Sequence, residues 1–266
     1  MSLINNENAV IKKIVKDVLL EYSKIRIFKY PHQVTSDSRE YLAVFSQDYE
    51  RYHKLMQFLP KLSIDSKVLE VGTGIGYLAV MLKRIFNYDV TTIDHPSRES
   101  FKNQIFIERF KNEGINIKPA DLLNDLQMKN ESFDMVIFSE VLEHLSPTPD
   151  VIKKVFDNIT GLIKKKGYIV ITTPNVATID SRWRGLRGVS VQPFPIQGMS
   201  DSTYEHVRIY SLNEIKKILS RYNYSCKKVG YSNYLKGKYL SDLRRIISCS
   251  IFPSISADMM VLGQNK

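Results

Sequence analysis

Three glycines spaced two apart are the first residues of this chain that could do chemistry. Gly72, Gly74 and Gly76 follow an apolar run over 67–71 and precede an apolar pattern of helical spacing. Because glycine has no Cβ, a strand, a glycine turn and a helix in that order let backbone N–H groups approach a ligand closely. The spacing differs from the G-x-G-x-x-G of dinucleotide-binding loops, and Glu70 stands two positions before the first glycine. The pattern predicts a ligand-binding loop, and the alternative is a plain strand-to-helix corner.

Two histidines, His144 and His206, are the candidates for proton transfer. An imidazole titrates near neutral pH and can take a proton from an attacking hydroxyl. His144 follows a strand-like run at 133–138, and His206 follows a segment without periodicity. We predict that both are catalytic, and the alternative for each is a packed or surface histidine.

The elements that must position these residues alternate between strand and helix periods. Such alternation predicts an α/β fold with a mostly parallel sheet, helices on both faces and ligands at the carboxyl ends of the strands. Two amphipathic helices, 8–22 and 39–58, precede the sheet and are expected to form an N-terminal helical cap. The predicted strands are 67–71, 89–94, 115–118, 133–138, 167–173, 224–231 and 257–263, and the helices between them are 75–86, 98–112, 149–164 and 211–221.

Two domains are expected in the 266 residues: the cap at 1–62 and a core at 63–266. Within the core, 174–205 contains three prolines and no clean period, which is typical of a functional lid or a disordered insert. Ser211, with a glutamate three residues on, forms a capping box that predicts the start of the next helix.

The composition indicates a reduced, cytoplasmic protein with anionic partners. Two cysteines are too few for a disulfide framework, and the N-terminus does not resemble a signal peptide. The net charge is +10, and residues 180–245 carry 13 Lys/Arg against 5 Asp/Glu. Such a surface suits nucleic acid, a nucleotide-linked substrate or anionic lipid, and a solvated lysine-rich face is the alternative. The basic amphipathic stretch 238–252 could make peripheral contact with a membrane or be a buried helix with exposed charges.

The glycine loop with its acidic neighbour resembles motif I of the class I S-adenosylmethionine (SAM) methyltransferases, and further motifs follow in that family's order over roughly residues 45–265. The resemblance implies a Rossmann-like, seven-stranded sheet and S-adenosyl-L-methionine as cofactor. It implies that Asp94 binds the ribose hydroxyls and that Asp121, in Lys-Pro-Ala-Asp-Leu, takes the adenine amino group; the alternatives are a turn former and a helix N-cap. The expected cofactor-binding residues are Glu70, Gly72, Thr73, Gly74, Gly76, Asp94, His95, Asp121, Leu122 and Ser139.

Three further stretches resemble the small-molecule branch of that family. The Glu-Val-Leu-Glu-His block at 140–144 is similar to its strand-four motif, and 204–210 resembles a stretch of sugar and quinone methyltransferases. The Thr-Pro-Asn and arginine-rich segment at 173–188 is similar to methyltransferases of polysaccharide and lipid-linked sugar pathways. Together they imply O-methylation of a small molecule, such as a nucleotide- or lipid-linked sugar or a glycan-pathway intermediate. The expected substrate-binding residues are Arg182, Trp183 and Arg208.

Two other functions remain open. The first interpretation expects no metal, but Glu140, Glu143, His144 and His206 also match the metal-binding set of methyltransferases that modify the 2′-hydroxyl at the 3′ end of small RNAs. Two carboxylates and two imidazoles suit Mg²⁺ or Mn²⁺, so a metal-dependent RNA methyltransferase is one alternative, with nucleic acid as a less favoured partner. A SAM-binding regulatory protein without turnover is the other. The oligomeric state is not predicted.

Overall fold

The computed structural model describes residues 2–23, 39–98, 101–192, 206–233 and 250–266, without the side chains of 2–5, 23 and 39–47. Its strands are β1 (Lys67–Val71), β2 (Asp89–Asp94), β3 (Asn116–Pro119), β4 (Phe133–Ser139), β5 (Ile163–Pro174), β6 (Tyr224–Ser232) and β7 (Asp258–Asn265). Its helices are α1 (Ser2–Ser23), α2 (Arg39–Phe58), α3 (Tyr77–Phe86), α4 (Gln104–Glu113), α5 (Pro149–Thr160), α6 (Ile179–Leu186) and α7 (Leu212–Arg221).

The seven strands form one sheet in the order β3-β2-β1-β4-β5-β7-β6. The first five pair in parallel, and β7 lies antiparallel between β5 and β6. The order reverses at β1, so the carboxyl ends of β1 and β4 flank the topological switch point where α/β sheets bind ligands. The start of β7 reaches the same edge, because β7 runs in the opposite direction.

Both faces of the sheet are covered, because successive strand residues point to opposite sides. Val68 packs into a core with α1, α2, α3 and α4, whereas Leu69 packs into a second core with α5 and α7. Glu70 falls on the side of the first core, so its carboxyl group is buried beneath the N-terminal helices. The α1 and α2 helices thus share their core with the sheet.

Ion pairs join α1 to α3 and α4. Arg84 of α3 pairs with both Glu21 and Glu113, and Arg109 of α4 donates to Glu21 at 2.6 Å. The Arg109 guanidinium also lies 4.0 Å from the centroid of the Tyr22 ring. A connected set of four charges that is partly shielded from water holds a helix better than isolated surface pairs do.

The predicted sheet is confirmed, and most element bounds agree within two residues. Three helix predictions were wrong at one end. Helix α1 begins at Ser2 instead of 8. Helix α4 begins at Gln104 instead of 98, because Asn103 caps it by accepting a hydrogen bond from the Ile105 N–H. Helix α5 ends at Thr160, followed by Gly161, so 163–166 are the start of β5 and not the last turn of a helix.

One helix was not predicted. Residues 179–186 form α6 within the segment expected to lack a period, and Thr178 caps it by accepting from the Ser181 N–H. Of the predicted lid, 193–205 lies outside the described residues, as does 238–249 of the basic stretch. None of the described helices is both long and apolar enough to cross a membrane.

Candidate active site

The glycine loop turns sharply between β1 and α3. All three of its glycines have positive φ, at 86° for Gly72, 51° for Gly74 and 90° for Gly76. A Cβ on Gly72 would lie 2.4 Å from Val141, and one on Gly76 would lie 2.4 Å from Phe110. At Gly74 nothing lies within 4 Å of the position a Cβ would take. The loop is therefore packed on two sides and open at Gly74, which leaves a path for a ligand to the backbone.

A buried chain of three side chains supports the loop from below. The Thr92 hydroxyl donates to Glu70 Oε2 at 2.6 Å, and the Thr73 and Thr92 hydroxyl oxygens lie 2.7 Å apart. Because the Thr92 proton goes to the glutamate, Thr73 donates to Thr92. Burial raises the pKa of Glu70 to about 8, although the Thr92 hydrogen bond opposes the shift. The sequence pointed to Glu70 and Thr73, whereas Thr92 sits inside a strand and gave no signal.

Asp94, at the end of β2, lies against the open side of the loop. Its Oδ2 accepts from the Gly74 N–H at 3.0 Å, and its Oδ1 accepts from the His95 N–H at 2.8 Å. The His95 ring is exposed, and its Nδ1 lies 2.7 Å from the Ser97 hydroxyl. The loop and the carboxylate predicted to bind ribose are thus neighbours, as expected from their positions at the ends of the paired strands β1 and β2.

Asp121 follows β3 in a tight turn. Its carboxylate accepts from the Leu123 N–H and from the Asn124 side chain, both at 2.9 Å. The Leu122 carbonyl accepts from Asn158 of α5 at 2.9 Å. Asp121 begins a turn in the described structure and not a helix, and its role at adenine stays a prediction.

The second part of the site is a short 3-10 turn, Leu142–His144, directly after β4. The Val207 and Arg208 N–H groups donate to the Glu143 carbonyl at 2.7 and 3.2 Å, which draws the segment carrying His206 onto this turn. As a result, the His144 and His206 rings lie with their centroids 5.1 Å apart. The structure brings together the two histidines predicted to be catalytic.

Beneath the histidines lies a carboxyl group with no exposed surface. Glu143 Oε2 accepts from the Thr173 hydroxyl at 3.0 Å, and its Oε1 has no hydrogen-bond partner among the described residues. That oxygen lies 4.0 Å from His206 Nε2. Burial, and then the nearby Glu140 charge, raise the pKa of Glu143 to about 9, so it is neutral at pH 7. Burial lowers the pKa of His206, with Glu140 opposing, which keeps this imidazole neutral as well.

Glu140 does not belong to the same group of ligand atoms. Those of Glu143, His144 and His206 lie within 4.8 Å of one another, whereas Glu140 Oε1 accepts from the Thr172 hydroxyl at 2.7 Å. Glu140 has a positive φ of 56°, an uncommon conformation for a residue with a side chain. The predicted cofactor residue Ser139 lies beside it, with its hydroxyl 3.3 Å from that of Thr172.

The cap helix α2 adds two charged residues that the sequence did not single out. Arg51 donates to Asp48 at 2.9 Å and approaches Glu140 Oε2 at 3.9 Å. Burial raises the pKa of Asp48, and Arg51 opposes that shift. Residues on α2 face the end of β4 only through tertiary packing, so no local pattern could have shown them.

The three predicted substrate-binding residues stand on two segments that are joined by the Val176 N–H, which donates to the Tyr210 carbonyl at 3.1 Å. Arg182 and Trp183 stand on α6, which has no buried residue, and Arg182 Nε donates to the Ala177 carbonyl at 3.0 Å. Arg208 pairs with Glu214 in the first turn of α7. Ser211 and Glu214 form the predicted capping box. The substrate role of the three residues stays a prediction.

Comparison with known proteins agrees with this geometry. Residues 41–229 match the family described as "Methyltransferase domain", and the chain belongs to that family. It is therefore a SAM-dependent methyltransferase of the class I fold, and SAM is its cofactor.

Its relatives are distant. The human EEF1A lysine methyltransferase 2 is 29% identical over 133 residues, which are 47% of this chain and 56% of the human protein. The chain thus spans about half the length of this curated relative.

Solved structures share the fold at low identity. The PH0226 protein from Pyrococcus horikoshii is 15% identical with a TM-score of 0.57, covering 92% of this chain and 99% of that one. A SAM-dependent methyltransferase from Archaeoglobus fulgidus is 18% identical with a TM-score of 0.53, covering 86% and 95%. Phosphoethanolamine N-methyltransferase 2 from Haemonchus contortus, solved with S-adenosylhomocysteine, is 15% identical with a TM-score of 0.53, covering 80% and 51%.

Proposed function

We propose that this enzyme methylates a hydroxyl group of a small molecule. Bound SAM supplies a methyl group on a sulfonium sulfur, which is its own leaving group. The acceptor oxygen must lose a proton as it attacks, and a positioned base supplies that function. The observation that carries the proposal is the partly buried His206 ring, which lies with its centroid 5.1 Å from that of His144 at the end of β4.

The loop geometry supports one position for the cofactor. The open side of Gly74 would admit the cofactor to the backbone, and Asp94 beside it would accept hydrogen bonds from the ribose hydroxyls. Asp121, at the end of β3, would take the adenine amino group, with His95, Leu122 and Ser139 around the same pocket. In this arrangement Glu70, the glycine loop and Asp94 would hold SAM, which would supply a methyl group to an acceptor held at the two histidines.

His206 would accept the acceptor proton, and His144 would hold the hydroxyl in line with the methyl carbon. The buried carboxyl of Glu143 stays neutral and donates or accepts one hydrogen bond through the oxygen that has no described partner. The helices at 1–62 and the segment 174–205 would close over the acceptor as cap and lid. A sugar or glycan-pathway intermediate is the acceptor that the resemblance at 173–188 supports.

The direct test is transfer of a labelled methyl group from SAM to a panel of acceptors. We expect nucleotide-sugars, lipid-linked sugars and free glycans to be labelled at oxygen, and unmodified protein lysines not to be. His206→Gln and His144→Gln should bind SAM normally and lose transfer. Labelling of lysine nitrogen instead would contradict the hydroxyl proposal, and SAM binding with no transfer to any acceptor would favour a regulatory protein.

A second candidate function has its own observation. Glu143, His144 and His206 place three ligand atoms within 4.8 Å of one another, and the unpartnered Glu143 oxygen is one of them. A divalent cation bound at about 2.1 Å from each atom needs ligand atoms no more than about 4.2 Å apart, so a small movement of the side chains would complete the site. The donor set therefore suits Mg²⁺ or Mn²⁺, and such an ion would activate a hydroxyl of an RNA 3′ end by Lewis-acid polarisation.

Calorimetry separates the two candidates. Titration of the chelator-treated protein with Mn²⁺ should release no heat if His206 acts as a base alone. A stoichiometric signal that disappears in Glu143→Gln would instead establish the metal site. Glu140→Gln is a matched control, because Glu140 lies near the cluster and bonds to Thr172.

A further inference from the structure

Large apolar side chains are exposed along one face of α6. Trp183 and Leu186 of α6 lie three residues apart with exposed fractions of 63% and 81%, and Val189, which follows the end of the helix, is 44% exposed. Residues three apart lie on the same side of a helix. None of the eight residues of α6 is buried, so this helix uses its apolar side chains for something other than the core.

A second exposed apolar pair lies just before β7. Ile251 is 65% exposed and Phe252 is 62% exposed. They immediately precede the short 3-10 turn Pro253–Ile255, which leads into the strand. Two neighbouring apolar residues at this exposure are uncommon on a soluble surface unless the surface binds something.

Asn175 ties these two segments together. Its side chain donates to the Ser254 and Ser256 carbonyls, both at 2.9 Å, and its backbone N–H donates to the Ala257 carbonyl at 2.8 Å. The same side chain accepts from the Ala177 N–H at 3.0 Å, one residue before the cap of α6. Trp183 stands five positions after that cap, about 8 Å along the helix. Both sets of apolar side chains therefore start from the same hydrogen-bonded junction at the carboxyl edge of the sheet.

Arginines accompany the apolar side chains. Arg184 and Arg187 are exposed beside Trp183 and Leu186, and the stretch 180–245 carries 13 basic against 5 acidic residues. Exposed aromatic and aliphatic side chains flanked by basic residues are the composition of helices that lie in the interface of anionic membranes. The aromatic ring and the leucine enter the boundary between headgroups and acyl chains, while each arginine meets lipid phosphate.

We propose that α6 and the turn before β7 form a membrane-docking surface for anionic lipid bilayers. Trp183, Leu186 and Phe252 insert, and Arg184 and Arg187 hold the headgroups. The docking surface stands at the edge of the sheet that carries His144 and His206, so docking turns the active site toward the bilayer. This inference goes beyond the choice of acceptor and does not depend on the base or the metal.

A single tryptophan makes the test specific, because Trp183 is the only one in the chain. The protein is titrated with vesicles of phosphatidylcholine alone and with vesicles in which roughly a third of the lipid is phosphatidylglycerol, which gives them a negative surface potential. We expect the emission of Trp183 to shift to the blue, and the protein to sediment with the vesicles, only when the anionic lipid is present. Brominated acyl chains should quench the shifted emission.

Matched variants separate docking from general stickiness and charge. Leu186→Asp should weaken vesicle binding at least about tenfold, and Arg184→Glu with Arg187→Glu should weaken it by more than about fivefold for each arginine. Ile64→Asp and Lys165→Glu with Lys166→Glu are the controls. Ile64 is 70% exposed in the loop before β1, and the lysines lie at the start of β5, so both sites are at the opposite edge.

Four outcomes would overturn the proposal. Binding to neutral vesicles as strong as binding to anionic vesicles would show that the arginines do not hold headgroups. Equal losses of vesicle affinity in Ile64→Asp and Leu186→Asp would show non-specific adsorption. Emission that is already blue-shifted without vesicles would mean that the chain itself covers Trp183. A shift that follows protein concentration and not lipid would assign the surface to a protein partner.

Discussion

The His206 Nε2 atom lies 4.0 Å from Glu143 Oε1, in a site where the imidazole is partly exposed and the carboxyl is fully buried. This separation is too long for a direct hydrogen bond and leaves room for an atom between the two groups. The other carboxyl oxygen is held by Thr173. The two groups, a base and an acid, therefore leave a gap between them. Whether an acceptor atom or a metal ion occupies this gap decides the mechanism.

The fall of activity at low pH, here called the acid limb, should follow the protonation of His206. Because burial lowers the pKa of His206 below its ordinary value of 6.5, we expect kcat/KM to fall only as the pH drops below 6.5. Replacement by glutamine should remove this limb and lower kcat about 10²- to 10⁴-fold. An independent measurement is the NMR titration of the five histidines, in which the signal missing from His206→Gln should titrate below 6.5.

His53 is the control for that measurement. It packs between α1 and α2, with its Nε2 3.0 Å from Asn8 Oδ1, and burial lowers its pKa as well. His53→Gln should leave the acid limb in place. An acid limb that survives in His206→Gln would contradict the assignment of the base.

Gly74→Ala should abolish cofactor binding without unfolding the protein. The new methyl group meets no atom of the described residues within 4 Å, so the expected cost in stability is that of the positive φ, about 1 kcal/mol. Gly114→Ala is a matched control, because Gly114 also has a positive φ and open space around it, but it ends α4. We expect both variants to lower the melting temperature similarly and Gly74→Ala alone to weaken SAM at least about tenfold by calorimetry. Equal affinities would place the cofactor elsewhere.

Asp94→Asn should weaken the binding of SAM, because it replaces the charged acceptor of the ribose hydrogen bonds. A hydrogen bond to a charged acceptor contributes about 1.5–3 kcal/mol, so the dissociation constant should rise by roughly ten- to a hundredfold. The amide oxygen can still accept from Gly74, which preserves the loop. Asp89→Asn, at the opposite end of β2, should leave the affinity unchanged, and an equal loss there would point to a general effect on the strand.

Glu70→Gln should flatten the pH dependence of stability. A group whose pKa is raised on folding, here from 4.5 to about 8, stabilises the fold fully below pH 4.5 and loses that contribution as the pH rises toward 8. The wild type should therefore lose more free energy of unfolding between pH 5 and 8 than the variant, by about 1 kcal/mol or more for each pH unit. Urea unfolding at both pH values measures the difference. An equal loss in the wild type and Glu70→Gln would show that this carboxyl is already ionised in the folded protein at pH 5.

Much of the sheet was readable from the chain because its strands are apolar runs with clear ends. The bounds of β1 and β2 agree with the prediction, since glycine follows one strand and an aspartate ends the other. The helix predictions failed where the period alone was used. Nothing in the apolar spacing of 149–164 shows that Gly161 ends the helix and that the next residues pair with β4.

The sequence by itself determined which residues gather at the predicted cofactor loop, because Glu70, the glycines and Asp94 lie on adjacent elements at the edge where parallel strands end. Only the tertiary structure decided the acceptor half. His206 reaches His144 because the backbone N–H groups of Val207 and Arg208 donate to the Glu143 carbonyl. Arg51 comes from α2, which packs against the sheet from outside it. Contacts between residues so distant along the chain depend on how whole elements pack, and no local pattern records that packing.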